Sequence, residues 1–114
     1  MIEMHEMSIT QGIIDICERY AGGRRVLAVD IEIGELSSVV PDAVEFCFEA
    51  CSLGTLLKGA RINIIRIPGR GRCLDCDAET PLTALFGACQ RCGGYRVTVV
   101  AGEEMRVREI EVDE

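Results

Sequence analysis

Cys73-Leu74-Asp75-Cys76 and Cys89-Gln90-Arg91-Cys92 form a C-x2-C-x12-C-x2-C pattern in the second half of a 114-residue chain. Each C-x2-C is a tight turn whose two sulfurs can converge on one ion. Two such turns supply four thiolates in a tetrahedron, with metal–sulfur bonds of ~2.3 Å. Gly93-Gly94 behind the second pair suits such a turn, because glycine accepts the positive φ that aims backbone N–H groups at sulfur. Four thiolates leave no open ligand position, so the pattern predicts a structural zinc site and not a hydrolytic one. Tetrathiolate iron satisfies the same spacing, and two separate redox C-x2-C pairs or free thiols are the remaining readings. From Pro68 to Gly94 the large apolar residues are few (Leu74, Leu82, Leu85 and Phe86 among them), and glycine, cysteine and turn residues dominate. Such a segment buries too little surface to fold alone, so a metal is expected to supply most of its stability.

The sequence on either side has ordinary periodicities. Ile13, Ile14, Cys17 and Ala21 fall on one stripe of a helix over 7–21, which Gly22-Gly23 stops. Residues 24–33 alternate, with Leu27, Val29, Ile31 and Ile33 on one side and Asp30 and Glu32 on the other, as in a half-buried strand. Pro41 opens a second helix with Asp42 and Glu45 in its first turns, and Gly54 closes it. Val44, Cys47, Phe48 and Cys51 make its apolar stripe. Residues 61–67, 95–101 and 105–112 read as strands, the last with a phase shift between Val107 and Ile110 that suggests a bulge. The expected fold is α+β: a small β-sheet packed with two helices, formed by 1–68 and 103–114, plus an inserted zinc-ribbon-like lobe over 69–102. The final strand is expected to return to the first sheet. Gly69-Arg70-Gly71-Arg72 is expected to act as a hinge between the lobes.

Composition narrows the function. Twelve Lys and Arg against 19 Asp and Glu give a net charge of −7, which opposes a nucleic-acid binder, whose affinity rests on basic residues. No run spans a bilayer, and the acidic start Met1-Ile2-Glu3-Met4-His5-Glu6 has no signal-peptide character. A cytoplasmic protein is expected, in which cysteines are metal ligands or buried thiols. Core packing is the reading for Cys17, Cys47 and Cys51, although the last two, at i and i+4, could share a metal. Charge is uneven: Lys58, Arg61, Arg66, Arg70 and Arg72 follow one another with no acid between Glu49 and Asp75, while 103–114 holds six acids. This reads as a solvated strand face and an acidic tail, or else as a basic patch that docks an acidic partner. No Ser-His-Asp set, P-loop or dinucleotide fingerprint is present, so no enzyme is expected.

His5 is the only histidine, and it is read as preceding the first helix. In a chain beginning at Met4, the terminal amine, the His5 backbone nitrogen and the imidazole close small chelate rings around one ion. Nitrogen-rich planar sites favour Ni(II) or Cu(II) over zinc.

Together, Met4-His5-Glu6-Met7-Ser8, Gly34-Glu35-Leu36-Ser37, Pro41-Asp42, Phe46-Cys47-Phe48-Glu49, the cysteine quartet and Gly102-Glu103-Glu104-Met105-Arg106-Val107 closely resemble the HypA/HybF family of hydrogenase maturation nickel chaperones. The resemblance covers the chain from Met4 onward. It implies a nickel metallochaperone that binds Ni(II) through Met4, His5 and Glu6 as cargo and holds structural zinc through Cys73, Cys76, Cys89 and Cys92. It also implies partners: a HypB-type maturation GTPase and the hydrogenase large subunit, with urease served by some members. Homodimerisation is left open. One departure from the family pattern is the leading Met1-Ile2-Glu3, which turns the Met4 amine into an amide. Either Met4 is the true initiator, or a longer form binds nickel differently and more weakly, through His5, preceding amides and Glu3. The alternative function is a zinc-ribbon module that binds protein or nucleic acid without nickel.

Overall fold

A computed structural model describes the backbone of residues 4–114 and the side chains from Glu6 onward. The elements run α1 (Met4–Ala21), β1 (Val26–Gly34), α2 (Pro41–Ser52), β2 (Arg61–Ile67), β3 (Arg70–Cys73), β4 (Glu79–Pro81), β5 (Val97–Ala101) and β6 (Met105–Val112). They form two compact units, one of residues 1–32, 39–65 and 106–114 and one of residues 33–38 and 66–105. The strands make two three-stranded sheets, ordered β2-β1-β6 and β4-β3-β5. The last strand does return to the first sheet, beside β1.

In the first unit, α1 and α2 pack against each other. α1 buries Glu6, Thr10, Ile13, Ile14, Cys17 and Ala21, a helical stripe that extends the expected one by two turns toward the N-terminus. Gly22 and Gly23, at φ 63° and 84°, end the helix in the left-handed region. α2 starts at Pro41 and buries Val44, Cys47, Phe48 and Ser52. Glu18 of α1 accepts the Leu56 N–H at 3.0 Å, and the Leu56 carbonyl accepts the Val26 N–H at 2.9 Å. The loop after α2 is thereby tied to both α1 and β1, and Leu57 is fully buried.

β1 buries Val29, Ile31 and Ile33 as its alternation predicts, but Val26 and Ala28 are buried too and Leu27 is only half-buried. Both faces of this central strand are partly buried, which blurs a pattern expected of a strand with one wet side. The polar residues are bridged across strands: Asn63 donates to Asp30 at 3.0 Å, Arg106 pairs with Glu32 at 2.6 Å, and Arg61 with Glu111 at 3.7 Å. Exposed pairs of this kind contribute about 0–1 kcal/mol each. In β6 the half-buried positions shift phase between Val107 and Ile110, as the apolar pattern of the sequence does.

In the second unit β3 is the middle strand, antiparallel to β4 and β5. Its register against β5 slips between Arg70 and Gly71, which leaves Val100 without a partner residue in the pairing. The segment 69–72 is therefore not a free hinge but part of a sheet. Its glycines are there for close approach. A Cβ on Gly71 would collide with Val97 and come within 2.8 Å of Leu82 Cδ1, and one on Gly69 would collide with the Leu82 carbonyl and lie 2.7 Å from Leu36 Cγ. Gly71→Ala and Gly69→Ala should each destabilise the zinc-loaded protein by about 1–3 kcal/mol through overpacking. Gly12→Ala, in α1 with nothing within 4 Å of its Cβ, should instead stabilise by about 0.5–1 kcal/mol. Urea unfolding of the three variants checks both signs.

Candidate metal centre

The four cysteines of the quartet meet. Cys73 Sγ lies 3.6 Å from Cys92 Sγ, and Cys76 Sγ lies 3.7 Å from Cys89 Sγ. All four sulfurs fall within 4.8 Å of one another. A tetrahedron with metal–sulfur bonds of ~2.3 Å has edges of ~3.8 Å, whereas a disulfide would need ~2.05 Å. The sulfurs are thus spaced for an ion and not for each other, and all seven cysteines of the chain are free thiols.

The backbone explains why the sulfurs converge. After Cys76, Asp77 turns into the left-handed region at φ 61°; after Cys92, Gly93 does so at φ 78°. The N–H of each of these residues donates to the carbonyl of the first cysteine of its pair, Asp77 to Cys73 at 2.9 Å and Gly93 to Cys89 at 2.8 Å. The first cysteine of each pair donates back to the residue beyond, Cys73 to Ala78 at 2.9 Å and Cys89 to Gly94 at 2.7 Å. The two knuckles share one hydrogen-bond pattern. Glycine fills the positive-φ position in one, and aspartate, which tolerates it better than most residues, fills it in the other. At Gly94 a Cβ would lie 2.9 Å from the carboxylate end of Asp75 and 3.4 Å from Cys92 Sγ, so a side chain there would displace Asp75.

N–H groups also point at sulfur, Arg91 at Cys89 and Gly94 at Cys92, both at 3.4 Å. The amides of Cys92 and Arg91 push the Cys89 thiol down to about 7 against the opposing effect of burial. At Cys92 the Gly94 amide pulls down, but the crowding sulfur of Cys73 together with burial prevails and raises the thiol to about 12. In the metal-free cage, thiols that share one small volume hold protons among them, and a divalent cation is the group that replaces those protons. The donor set fits zinc: all four ligands are sulfur, the Cys73–Cys92 and Cys76–Cys89 edges match a tetrahedron, and four thiolates fill it.

Around the knuckles Arg70 and Arg72 of the basic run, and Arg96 outside it, are paired. Arg70 lies 3.1 Å from Glu79, Arg72 lies 3.3 Å from Asp77 and 3.9 Å from Glu79, and Arg96 lies 3.0 Å from Asp75. Arg61 of the same run lies 3.7 Å from Glu111.

The N-terminal residues are placed differently from expectation. α1 begins at Met4, so Met4, His5 and Glu6 lie in the first helical turn and not ahead of it. The stripe through Glu6 and Thr10 carries the helix that far, and Thr10 Oγ1 donates to the Glu6 carbonyl at 2.7 Å. Glu6 is buried, 1% exposed. The side chains of Met4 and His5, and all of Met1-Ile2-Glu3, lie outside the described residues. Cys47 of α2 faces Glu6: its thiol is pushed up first by burial, then by Cys51 and by Glu6. Cys17 is raised to about 11 by burial. Both are buried and packed in the core, and Cys51 is half-buried. Among the described residues, the quartet is the one group of three or more potential ligands gathered closely enough to hold an ion.

The chain matches the family described as "Hydrogenase/urease nickel incorporation, metallochaperone, hypA" over residues 4–112. It belongs to the HypA family. A hydrogenase maturation factor HypA of Geobacter metallireducens is 62% identical over 110 residues, which cover 96% of this chain and all of that protein. The one of Geobacter sulfurreducens is also 62% identical over the same length, and that of Trichodesmium erythraeum is 45% identical over 111 residues, 97% of each chain. Among solved structures, the Ni metallochaperone HypA from Helicobacter pylori superposes with a TM-score of 0.67 at 28% identity, covering 94% of this chain and 96% of that one. Membership in HypA places the chain in the nickel metallochaperone family of hydrogenase maturation, as the resemblance implied. The mixed α and β architecture of two helices and small sheets is that of the HypA structures.

Proposed function

We propose that this chain takes up Ni(II) at Met4, His5 and Glu6 and delivers it to the hydrogenase large subunit, while Cys73, Cys76, Cys89 and Cys92 hold a structural zinc. The observation that carries this reading is the family match beginning at Met4 and running through the quartet to Val112. In a chain that starts at Met4, the amine, the His5 amide nitrogen and the imidazole provide three nitrogens in sequence. An amide in the first turn of a helix has no intrahelical acceptor, so using its nitrogen as a ligand breaks no helical hydrogen bond. Glu6 follows directly but is buried, so the first turn of α1 must open for its carboxylate to join the three nitrogens. Nitrogen-rich planar coordination selects Ni(II) over Zn(II), and a site at a helix end can release its ion without unfolding the core. The sulfur cage, in contrast, is closed and keeps its zinc.

The chain acts as a carrier and not as an enzyme, in the cytoplasm, with a HypB-type GTPase as partner; urease is a further recipient. No helix among the described residues is long and apolar enough to cross a membrane, and the charge of −7 supports protein partners over nucleic acid. The test is transfer. Nickel-63 loaded on the chain that starts at Met4 should appear in a purified hydrogenase large subunit when the GTPase and GTP are present. The His5→Ala chain should transfer at background level. Equal transfer by both would overturn the reading.

A further inference from the structure

The side of α2 opposite the core carries an unexplained apolar ridge. Phe46 is 72% exposed and Leu53, at its C-terminal cap, is 62% exposed. They sit one above the other at a seven-residue spacing, with Ala43 and Ala50 three residues before each of them. Small residues beside a ridge leave the notch into which a second helix fits its own side chains. The flank of the same face that turns toward β2 is acidic. Asp42, Glu45 and Glu49 are exposed, and α2 contains no lysine or arginine. Along that flank, Glu45, Phe48, Glu49 and Leu53 help to line a groove of about 420 Å³ beside Lys58 and Ile62. An exposed aromatic on a helix face, next to a groove and flanked on the helix itself by acids alone, is the pattern of a protein contact surface.

We propose that this face of α2 receives a basic amphipathic helix of a protein partner, its apolar side over Ala43, Phe46, Ala50 and Leu53 and its lysines or arginines toward Glu45 and Glu49. Charge selects this occupant. A second copy of the chain would bring acids against acids, and an anionic lipid surface would be repelled in the same way. The face lies on the helix whose inner side presents Cys47 to Glu6, so a partner held there sits on the element packed against the nickel-carrying helix. The proposal goes beyond the nickel reading and does not require nickel to be bound.

The test uses the zinc-loaded full chain, without nickel, and fluorescently labelled helical peptides of about 18 residues. One peptide carries leucine on one face and lysine beside it; the other has glutamate in place of lysine. Anisotropy should show saturable binding of the lysine peptide, weakened by salt, and none of the glutamate peptide. Phe46→Ala should weaken binding about tenfold or more, and Glu45→Lys with Glu49→Lys should abolish it. Glu109→Lys with Glu111→Lys, an equal charge change on β6, should weaken it far less. Circular dichroism confirms that each variant is folded. Equal loss from the β6 change, no effect of Phe46→Ala, or a concentration-dependent dimer that Phe46→Ala dissolves would each overturn the proposal. Failure here leaves nickel titration unaffected, and failure of nickel binding leaves this result standing.

Discussion

Cys73→Ser loses its zinc, and residues 66–105 lose their tertiary structure, while α1, α2 and the strands packed with them stay folded. The reason is the thinness of the second unit's own core. Of the large apolar side chains from Pro68 to Gly94, Leu82 is buried, whereas Leu74, Leu85 and Phe86 are 58%, 44% and 89% exposed. Buried Thr80 accepts the Gln90 N–H at 3.0 Å, which orders the second knuckle but adds little apolar burial. A structural zinc supplies about 10–16 kcal/mol in small zinc modules, comparable to or larger than the whole stability of a typical domain. Serine keeps the size of cysteine but not the thiolate, and three sulfurs do not close the cage. The first unit has its own core of Ile14, Val26, Val29, Ile31, Val44 and Leu57, each 0% exposed. Amide hydrogen exchange read along the chain should therefore show protection lost from β3, β4 and β5 and retained in α1 and α2. Loss of protection throughout would mean that the two units fold as one.

Acid should act on the same bond. Without metal, a thiol raised as Cys92 is favours the folded state below its unfolded value of ~8.5, and that contribution is lost as pH rises through about 12. Zinc reverses the sign, because it binds the thiolates and displaces protons. Affinity for zinc should therefore fall as pH falls, by about tenfold per pH unit for each proton displaced. Proton release on zinc addition, followed with an indicator dye, checks this directly.

The sequence exposed the metal cage more clearly than the strands that hold it. Four cysteines at fixed spacing admit few geometries, so the sulfurs converge as read. β3 and β4 were not legible: Arg-Gly-Arg-Cys has none of the β-branched character of a strand, its buried positions being a glycine and a metal-ligand cysteine, and β4 is only three residues long and ends in proline. The same glycine signal suggested a hinge, when Gly69 and Gly71 are in fact small because Leu82, Leu36 and Val97 press on them. α1 and α2 were legible from their stripes, and Pro41 marked the start of one of them. The start of α1 was not, because Glu6 and Thr10, both polar, form its first buried turns; a stripe sought only among apolar residues stops at Ile13. The register slip at Arg70 and Gly71 and the grouping of Ile33–Ser38 with residues 66–105 are long-range facts with no local signature.

The second large effect concerns nickel. His5→Ala removes the imidazole and with it the ring that the His5 amide closes, so nickel affinity should fall by about 100-fold or more, beyond what loss of an outer-shell group causes. Retaining Met1-Ile2-Glu3 should weaken binding as well, since Met4 then offers an amide where the planar site needs an amine. Neither change alters Cys73, Cys76, Cys89 or Cys92, so zinc content should stay constant. A change in zinc stoichiometry on nickel addition would mean that the ion enters the cage instead.

The most direct measurement is nickel titration of three zinc-loaded proteins, the full chain, the chain beginning at Met4 and its His5→Ala variant, followed by the d–d absorption of square-planar Ni(II) and by calorimetry. The account predicts stoichiometric planar nickel in the Met4 form, weaker binding in the full chain and almost none in the variant. Equal binding by all three, or none by any, would contradict it.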